Sequence, residues 1–192
     1  MAKDIFESRE RAEEEVYFRQ QDARLIAKLR QKAQLSEIAH ALAEKLQADE
    51  PTLLERIQKL GVTLDTGSAF ILAPLVEVAW ADGSVSHAER EAILRIARQR
   101  GITPQSGDHR KLLEWLDHRP SGEIFQTSVE AIRIGLSVLP PAEMEERIAV
   151  MIKACEDVAH AMGGITGLLK HEGVARDKVA VIAAIRRHLE KA

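Results

Sequence analysis

The stretch "VEVAWADGSVSHAEREAIL", Val76 to Leu94, predicts more about the fold than any other part of the sequence. Apolar residues at helical spacing stand on both sides of the short polar segment "ADGSVS". Gly83 suits the left-handed backbone that often follows a helix. Ser86 followed three residues later by Glu89 has the pattern of a capping box, which starts a helix. The stretch therefore predicts a helix, a tight corner and a second helix, with Asp82 free to accept a hydrogen bond inside the turn.

Helical spacing continues through the rest of the chain. The 192 residues are 45% hydrophobic and only 4% aromatic, and no segment alternates apolar and polar residues as an exposed strand does. We therefore expect an all-α fold without a sheet. A charged N-terminal helical arm, residues 1–48, precedes a helical domain, residues 49–192. Thr52 and Glu55 fit a capping box at the start of that domain, and an apolar helix is expected from Ser68 to Ala81, with Pro74 near a first turn or a kink.

Charge and composition restrict the partners and the compartment. The net charge is −3 and the pI is near 6.2, which disfavours nucleic acid and anionic membranes as main partners. The single cysteine, Cys155, cannot form a disulfide within the chain and fits a reducing cytoplasm. The N-terminus lacks the apolar segment of a signal peptide, and "AFILAPLVEVAWA" is too short to span a bilayer. We expect a cytoplasmic protein without direct membrane insertion.

The polar residues of the corner allow two interpretations. In the structural one, Gly83 ends a helix while Ser86 and Glu89 cap the next. In the other, Asp82, Ser84 and Glu89 bind a hard divalent cation, calcium or magnesium. The spacing differs from an EF-hand, and two carboxylates are too few for a strong site. A second acidic source would be needed, for which the candidates are Glu77, Glu156, Asp157, Glu172 and Asp177.

The stretch "LAPLVEVAWADGSVSHAEREAILRIARQRGI" resembles the TerB-like family, named for a tellurite-resistance protein. The family's corner motif is matched by Ala81, Asp82, Gly83, Val85 and Glu89. The resemblance covers residues 50–190 and implies a helical bundle of two pseudo-symmetric halves. It also implies an acidic metal-binding surface and a role in stress-response complexes.

The second half departs from the family pattern. "EVAWADG", residues 77–83, resembles "DVAHAMG", residues 157–163, as expected of an internal repeat. Met162 stands there in place of an aspartate, which removes one ligand implied by the resemblance. Glu172 or Asp177 would have to compensate.

The N-terminal arm carries a second resemblance. "FESRERAEEEVYFRQQDARLIAKLRQKA", residues 6–33, is similar to the start of the zeta-type inhibitor of bacterial ATP synthase. This similarity implies an arm that docks on an ATPase. Two other interpretations are a coiled coil with a second copy of the chain and a solvated, ion-paired helix.

These observations lead to one main expectation and one alternative. We expect a non-enzymatic domain that senses or binds a metal ion, or binds a protein, with Asp82, Glu89, Glu77 and Asp177 as candidate ligands and no organic cofactor. The alternative is a metal-free structural adaptor whose N-terminal helix docks on an ATPase or self-associates. Cys155 is expected in the core, and so are Trp80 and Trp115, as anchors.

Overall fold

The structure is a computed structural model that describes Leu42, Leu46, Gln47 and residues 49–161 and 172–191. These residues form helices, turns and connecting segments, and no β-strand occurs among them, which confirms the all-α prediction. Most of the predicted N-terminal arm lies outside the described residues. Met162 and the rest of the second corner also lie outside them, so the predicted pair of related halves stays a prediction.

Eight α-helices lie between residues 51 and 189, and the described residues Leu42, Leu46, Gln47 and Asp49 are helical as well. Two 3-10 turns, Leu64–Thr66 and Trp80–Asp82, stand beside the second and third helices. The helices are α1 (Pro51–Lys59), α2 (Gly67–Ile71), α3 (Ala73–Ala79), α4 (His87–Gln99), α5 (Gly107–Asp117), α6 (Gly122–Leu136), α7 (Pro141–His160) and α8 (Glu172–Leu189).

Proline moves the start of α1 away from the predicted capping box. The helix begins at Pro51, with Glu50 as its N-cap, and no side chain caps it. Proline fits the first helical position because its fixed backbone angle is already helical and its missing N–H would be unpaired there. Thr52 therefore lies inside the first turn, and the prediction of a capping box from Thr52 and Glu55 was wrong.

The apolar helix expected from Ser68 to Ala81 is divided. α2 ends at Ile71 and α3 begins at Ala73, with Pro74 in the first turn of α3. Proline lacks the N–H needed to continue a helical ladder, so a new helix starts around it. The prediction of one helix was therefore wrong, while the placement of Pro74 near a first turn was right.

Helix α3 is the centre of the bundle. Six of its seven residues are buried, and only Glu77 is partly exposed. It packs against α6, α7 and α8, and α8 also packs against the 3-10 turn Trp80–Asp82. A helix that is apolar all round is a core helix. This packing brings α8, from the end of the chain, against the corner that follows α3.

Side chains with polar groups join the buried helices. Ser128 Oγ on α6 donates to the carbonyl of Phe70 at 2.6 Å, and the N–H of Ala69 donates to Asp108 Oδ1 at 2.8 Å. Trp80 Nε1 donates to the carbonyl of Trp115 at 2.8 Å. Trp115 is buried, which confirms its predicted place in the core, whereas Trp80 is partly exposed and contacts α5 through this hydrogen bond.

No helix in the described part of the chain is both long enough and apolar enough to cross a membrane.

Candidate functional site

The backbone of the corner follows the sequence prediction closely. After the 3-10 turn, Gly83 has φ +92°, and its N–H donates to the carbonyl of Trp80 at 3.0 Å. A residue with a side chain is strained at such an angle, whereas glycine is not. α4 begins at His87 with Ser86 as its N-cap. The predicted helix, corner and second helix are confirmed.

Ser86 and Glu89 form the predicted capping box. The N–H of Glu89 donates to Ser86 Oγ at 3.2 Å, and the N–H of Ser86 donates to Glu89 Oε2 at 2.8 Å. The Ser86 hydroxyl also donates to Glu89 Oε2, at 2.7 Å. The exchange satisfies backbone donors that the first turn of a helix would otherwise leave unpaired. Oε2 of Glu89 thus accepts two hydrogen bonds from the N-cap residue of α4.

Asp82 makes the predicted turn contact. The N–H of Ser84 donates to Asp82 Oδ1 at 3.2 Å, as in an Asx-type turn. The side chain is only 11% exposed, so its second oxygen also needs a partner. That partner comes from the far end of the chain.

Lys178, on α8, holds the corner together. Its Nζ lies 3.1 Å from Asp82 Oδ2 and also pairs with Glu89 Oε1. The Lys178 side chain is 3% exposed and that of Glu89 is fully buried. We call Asp82, Glu89 and Lys178 the lysine cluster. It joins α8 to the corner by a buried ion pair whose partners stand 89 residues apart in sequence.

All four carboxylate oxygens of the lysine cluster accept hydrogen bonds or an ion pair from the protein itself. Asp82 accepts a hydrogen bond from the N–H of Ser84 and pairs with Lys178. Glu89 accepts hydrogen bonds from Ser86 and pairs with Lys178. No buried side-chain nitrogen or oxygen lacks a partner within the described ranges. A metal ion at these carboxylates would have to share their oxygens, or compete for them, with donors of the protein itself. The Lys178 ammonium group places one positive charge between the two carboxylates.

The other two predicted ligands, Glu77 and Asp177, do not belong to the lysine cluster. Glu77 is on α3, where burial raises the pKa of its carboxyl group while the positive charges of Arg119 and His188 partly oppose that effect. Asp177 is exposed on α8, one residue before Lys178. Across residues 49–161 and 172–191, no hydrogen bond or ion pair joins either of them to Asp82 or Glu89, and no three acidic, histidine or cysteine side chains gather as a metal site would require.

Lys178 was not among the residues singled out from the sequence, although a signal for it exists. Lys178, Ile182, Ile185 and Leu189 recur at the spacing of one helix face, and all four are buried. A lysine in register with buried apolar residues needs a buried counter-charge. The pattern predicts that an acidic partner exists, but it does not say which carboxylate on another helix fills that role.

Cys155 occupies the core position expected of it. The side chain is fully buried on α7, and burial raises the pKa of its thiol to about 12, although the nearby positive charge of Arg100 opposes the shift. A thiol with so high a pKa forms almost no thiolate at neutral pH, so it is unsuited to act as a nucleophile or metal ligand.

Comparisons with protein-family models, with curated proteins and with solved structures found no match. The resemblance to the TerB-like family therefore rests on the sequence of the corner and on the helical pattern around it. Within that motif, Asp82 and Glu89 are brought together, and a lysine of the same chain pairs with both.

Proposed function

We propose that this chain is a non-enzymatic helical adaptor whose corner is closed by Lys178 rather than by a metal ion. The observation that carries this proposal is the position of the Lys178 ammonium group between Asp82 and Glu89, in a site that is almost closed to solvent. In this proposal the corner is a structural joint between α3, α4 and α8. The binding function belongs to the N-terminal segment, residues 1–48.

Electrostatics supports the metal-free form. A divalent cation that approached Asp82 and Glu89 with α8 in place would meet a buried ammonium group at short range, and like charges repel strongly where water is excluded. The capping contacts between Ser86 and Glu89 would also compete with coordination. The protein already neutralises much of the negative charge that would attract the ion.

The sequence of residues 1–48 supports the adaptor part of the proposal. It combines dense charge of both signs with an apolar series that tightens from Leu25 onward. Such a helix can bind a groove on a partner or pair with a second copy. The last members of the series that the structure describes, Leu42 and Leu46, are buried. We propose self-association or docking on a protein partner, including an ATPase, as the role of this segment.

Thermal melting in the presence of metal ions tests the closed corner. The full chain, Lys178→Met and Lys153→Met are melted with and without millimolar calcium, magnesium and manganese. Lys153 is a matched control because it is an exposed lysine paired with one carboxylate, Asp157. We expect no rise in the midpoint for the wild type or for Lys153→Met. A rise in the wild type would contradict the metal-free proposal, since a bound ion stabilises the folded state by mass action.

Measurement of the mass in solution tests the adaptor role. The full chain is compared with a variant that lacks residues 1–20, over a range of concentrations. If residues 1–48 mediate self-association, the deletion lowers the average mass and removes its dependence on concentration. An unchanged mass would rule out self-association through this part of the segment, and retained binding of a purified ATPase would likewise rule out docking through it.

A second candidate function is ion sensing, and one observation favours it. Two carboxylates share a single ammonium group, so the lysine cluster keeps a formal charge of about −1 if all three groups are ionised. An ion that displaced Lys178 would loosen the contact between α8 and the corner. This alternative predicts that divalent ions shift the wild-type midpoint and that Lys178→Met binds them more tightly. Membership of the TerB-like family and a role in stress response are likewise proposals that rest on the motif.

A further inference from the structure

A basic pocket lies between α1, α6 and the end of α8, away from the lysine cluster. Its volume is about 310 Å³, and it is lined by Arg56, Gln126, Glu130, Arg133, His188 and Lys191. The volume is at the lower end of the range for small-molecule sites. Three helices therefore contribute polar side chains to one concave surface.

The pocket has an excess of positive charge. Arg56, Arg133 and Lys191 are cationic at neutral pH, against one lining carboxylate, Glu130. That carboxylate is already paired with Arg56, at 2.9 Å. The whole chain has a net charge of −3, so the positive charge of this pocket is opposite in sign to the net charge of the protein. Arg133 and Lys191 supply charge that Glu130 does not neutralise.

Contacts with the protein orient two of the lining side chains. Arg56 donates to Glu130 and, through Nη2, to Thr127 Oγ1 at 3.0 Å, and Thr127 is fully buried. His188 Nδ1 lies 2.8 Å from the carbonyl of Ala184. Since a carbonyl only accepts, Nδ1 carries the hydrogen of this contact. Both groups are held in place before any ligand arrives.

We propose that this pocket binds a small molecule that carries a phosphate group. Arginine forks match the oxygens of phosphate, and the Arg133 guanidinium and Lys191 ammonium groups that line one concave surface suit a tetrahedral group, whose oxygens point in several directions. A planar carboxylate offers two oxygens in one plane and would satisfy fewer of these donors. The site is independent of the corner and adds a ligand-binding function to the proposed adaptor.

Calorimetric titration with pyrophosphate tests the proposal, with inorganic phosphate and citrate as comparison ligands. The variants are Arg133→Gln and Lys191→Gln, and Arg95→Gln is the matched control. Arg95 is an exposed arginine on α4 outside the pocket, so its substitution changes the net charge equally. We expect each pocket variant to weaken pyrophosphate binding about tenfold, since each removes a charge-assisted contact.

The control is expected to bind as the wild type does. Wild-type affinity in Lys191→Gln or in a folded Arg133→Gln would overturn the assignment, and so would an equal loss in Arg95→Gln. Absence of binding at millimolar pyrophosphate would also overturn it. Citrate that binds as tightly as pyrophosphate would refute the choice of phosphate. Circular dichroism of each variant checks folding, and Lys191→Gln decides the matter if Arg133→Gln does not fold.

Discussion

The ammonium group of Lys178 lies 3.1 Å from the Asp82 carboxylate, inside a bundle where the lysine side chain is almost fully buried. It also pairs with Glu89, so one cation from α8 serves two carboxylates of the corner between α3 and α4. Desolvation of these charges is costly, and their mutual attraction offsets that cost only while every member is present.

Lys178→Met should strongly destabilise the protein. Methionine is also long and unbranched but carries no charge, so the substitution leaves Glu89 buried without its counter-ion. Loss of one partner from a buried ion pair costs about 3–5 kcal/mol. Urea denaturation measures the change in the free energy of unfolding. Lys153→Met, which removes an exposed lysine from α7, should leave that free energy nearly unchanged. Equal stability of the two variants would mean that the lysine cluster does not hold α8 in place.

Ser86→Ala should cost more stability than Ser106→Ala. Both serines are N-caps whose hydroxyl oxygen accepts from a backbone N–H three residues later, and loss of such a cap costs about 1 kcal/mol. Only the Ser86 hydroxyl also donates to a buried carboxylate, that of Glu89, and a hydrogen bond to a charged group contributes about 1.5–3 kcal/mol. Chemical denaturation of both variants gives the comparison. The Ser106 hydroxyl donates to the exposed carbonyl of Thr103, at 2.8 Å. A Ser106→Ala loss as large as that of Ser86→Ala would therefore show that the bond to Glu89 contributes no more than the bond to Thr103.

Gly107→Ala should destabilise the start of α5. A Cβ atom at this position would lie 2.7 Å from the backbone carbonyl oxygen of Asp65, which is too close for the chain to accept without a shift. We expect a loss of about 1–3 kcal/mol, as for other overpacked sites. Gly122→Ala is the matched control, because Gly122 is also the first residue of a helix and its added Cβ would meet open space. Thermal melting should show a lower midpoint for Gly107→Ala only.

Glu77→Gln should raise stability at neutral pH. Burial raises the pKa of the Glu77 carboxyl group above its ordinary value of 4.5, so the folded protein holds this proton more tightly than the unfolded chain does. The wild type therefore loses stability as pH rises from 4.5 through the folded pKa, whereas the glutamine variant does not. Melting midpoints are measured from pH 4 to 8. The midpoint of the variant should exceed that of the wild type by an amount that grows as pH rises and is smallest near pH 4.

The control for this experiment is Glu91→Gln, the same substitution at an exposed position of α4. Glu91→Gln makes the same change in net charge, but the carboxylate that it removes is exposed to solvent. An identical pH profile for Glu77→Gln and Glu91→Gln would show that burial of Glu77 has no effect on its ionisation.

Local features of the corner could be predicted because their causes lie within a few residues. Gly83 takes a backbone angle that other residues avoid, and the hydroxyl of Ser86 and the carboxylate of Glu89 are close enough in sequence to cap one helix. The errors in helix boundaries involve proline. Pro51 moved the start of α1, and Pro74 divided an apolar segment that helical periodicity alone would join.

The sequence by itself determined that the chain is helical, where the corner lies, and how the corner is capped, since these depend on short-range periodicity and hydrogen bonding. Only the tertiary structure decided which charge meets Asp82 and Glu89. Periodicity places Lys178 on the buried face of α8, but the choice of partner depends on how α8 packs against α3 and the turn Trp80–Asp82. That packing joins residues nearly a hundred positions apart, and no local rule of sequence specifies a contact at such a separation.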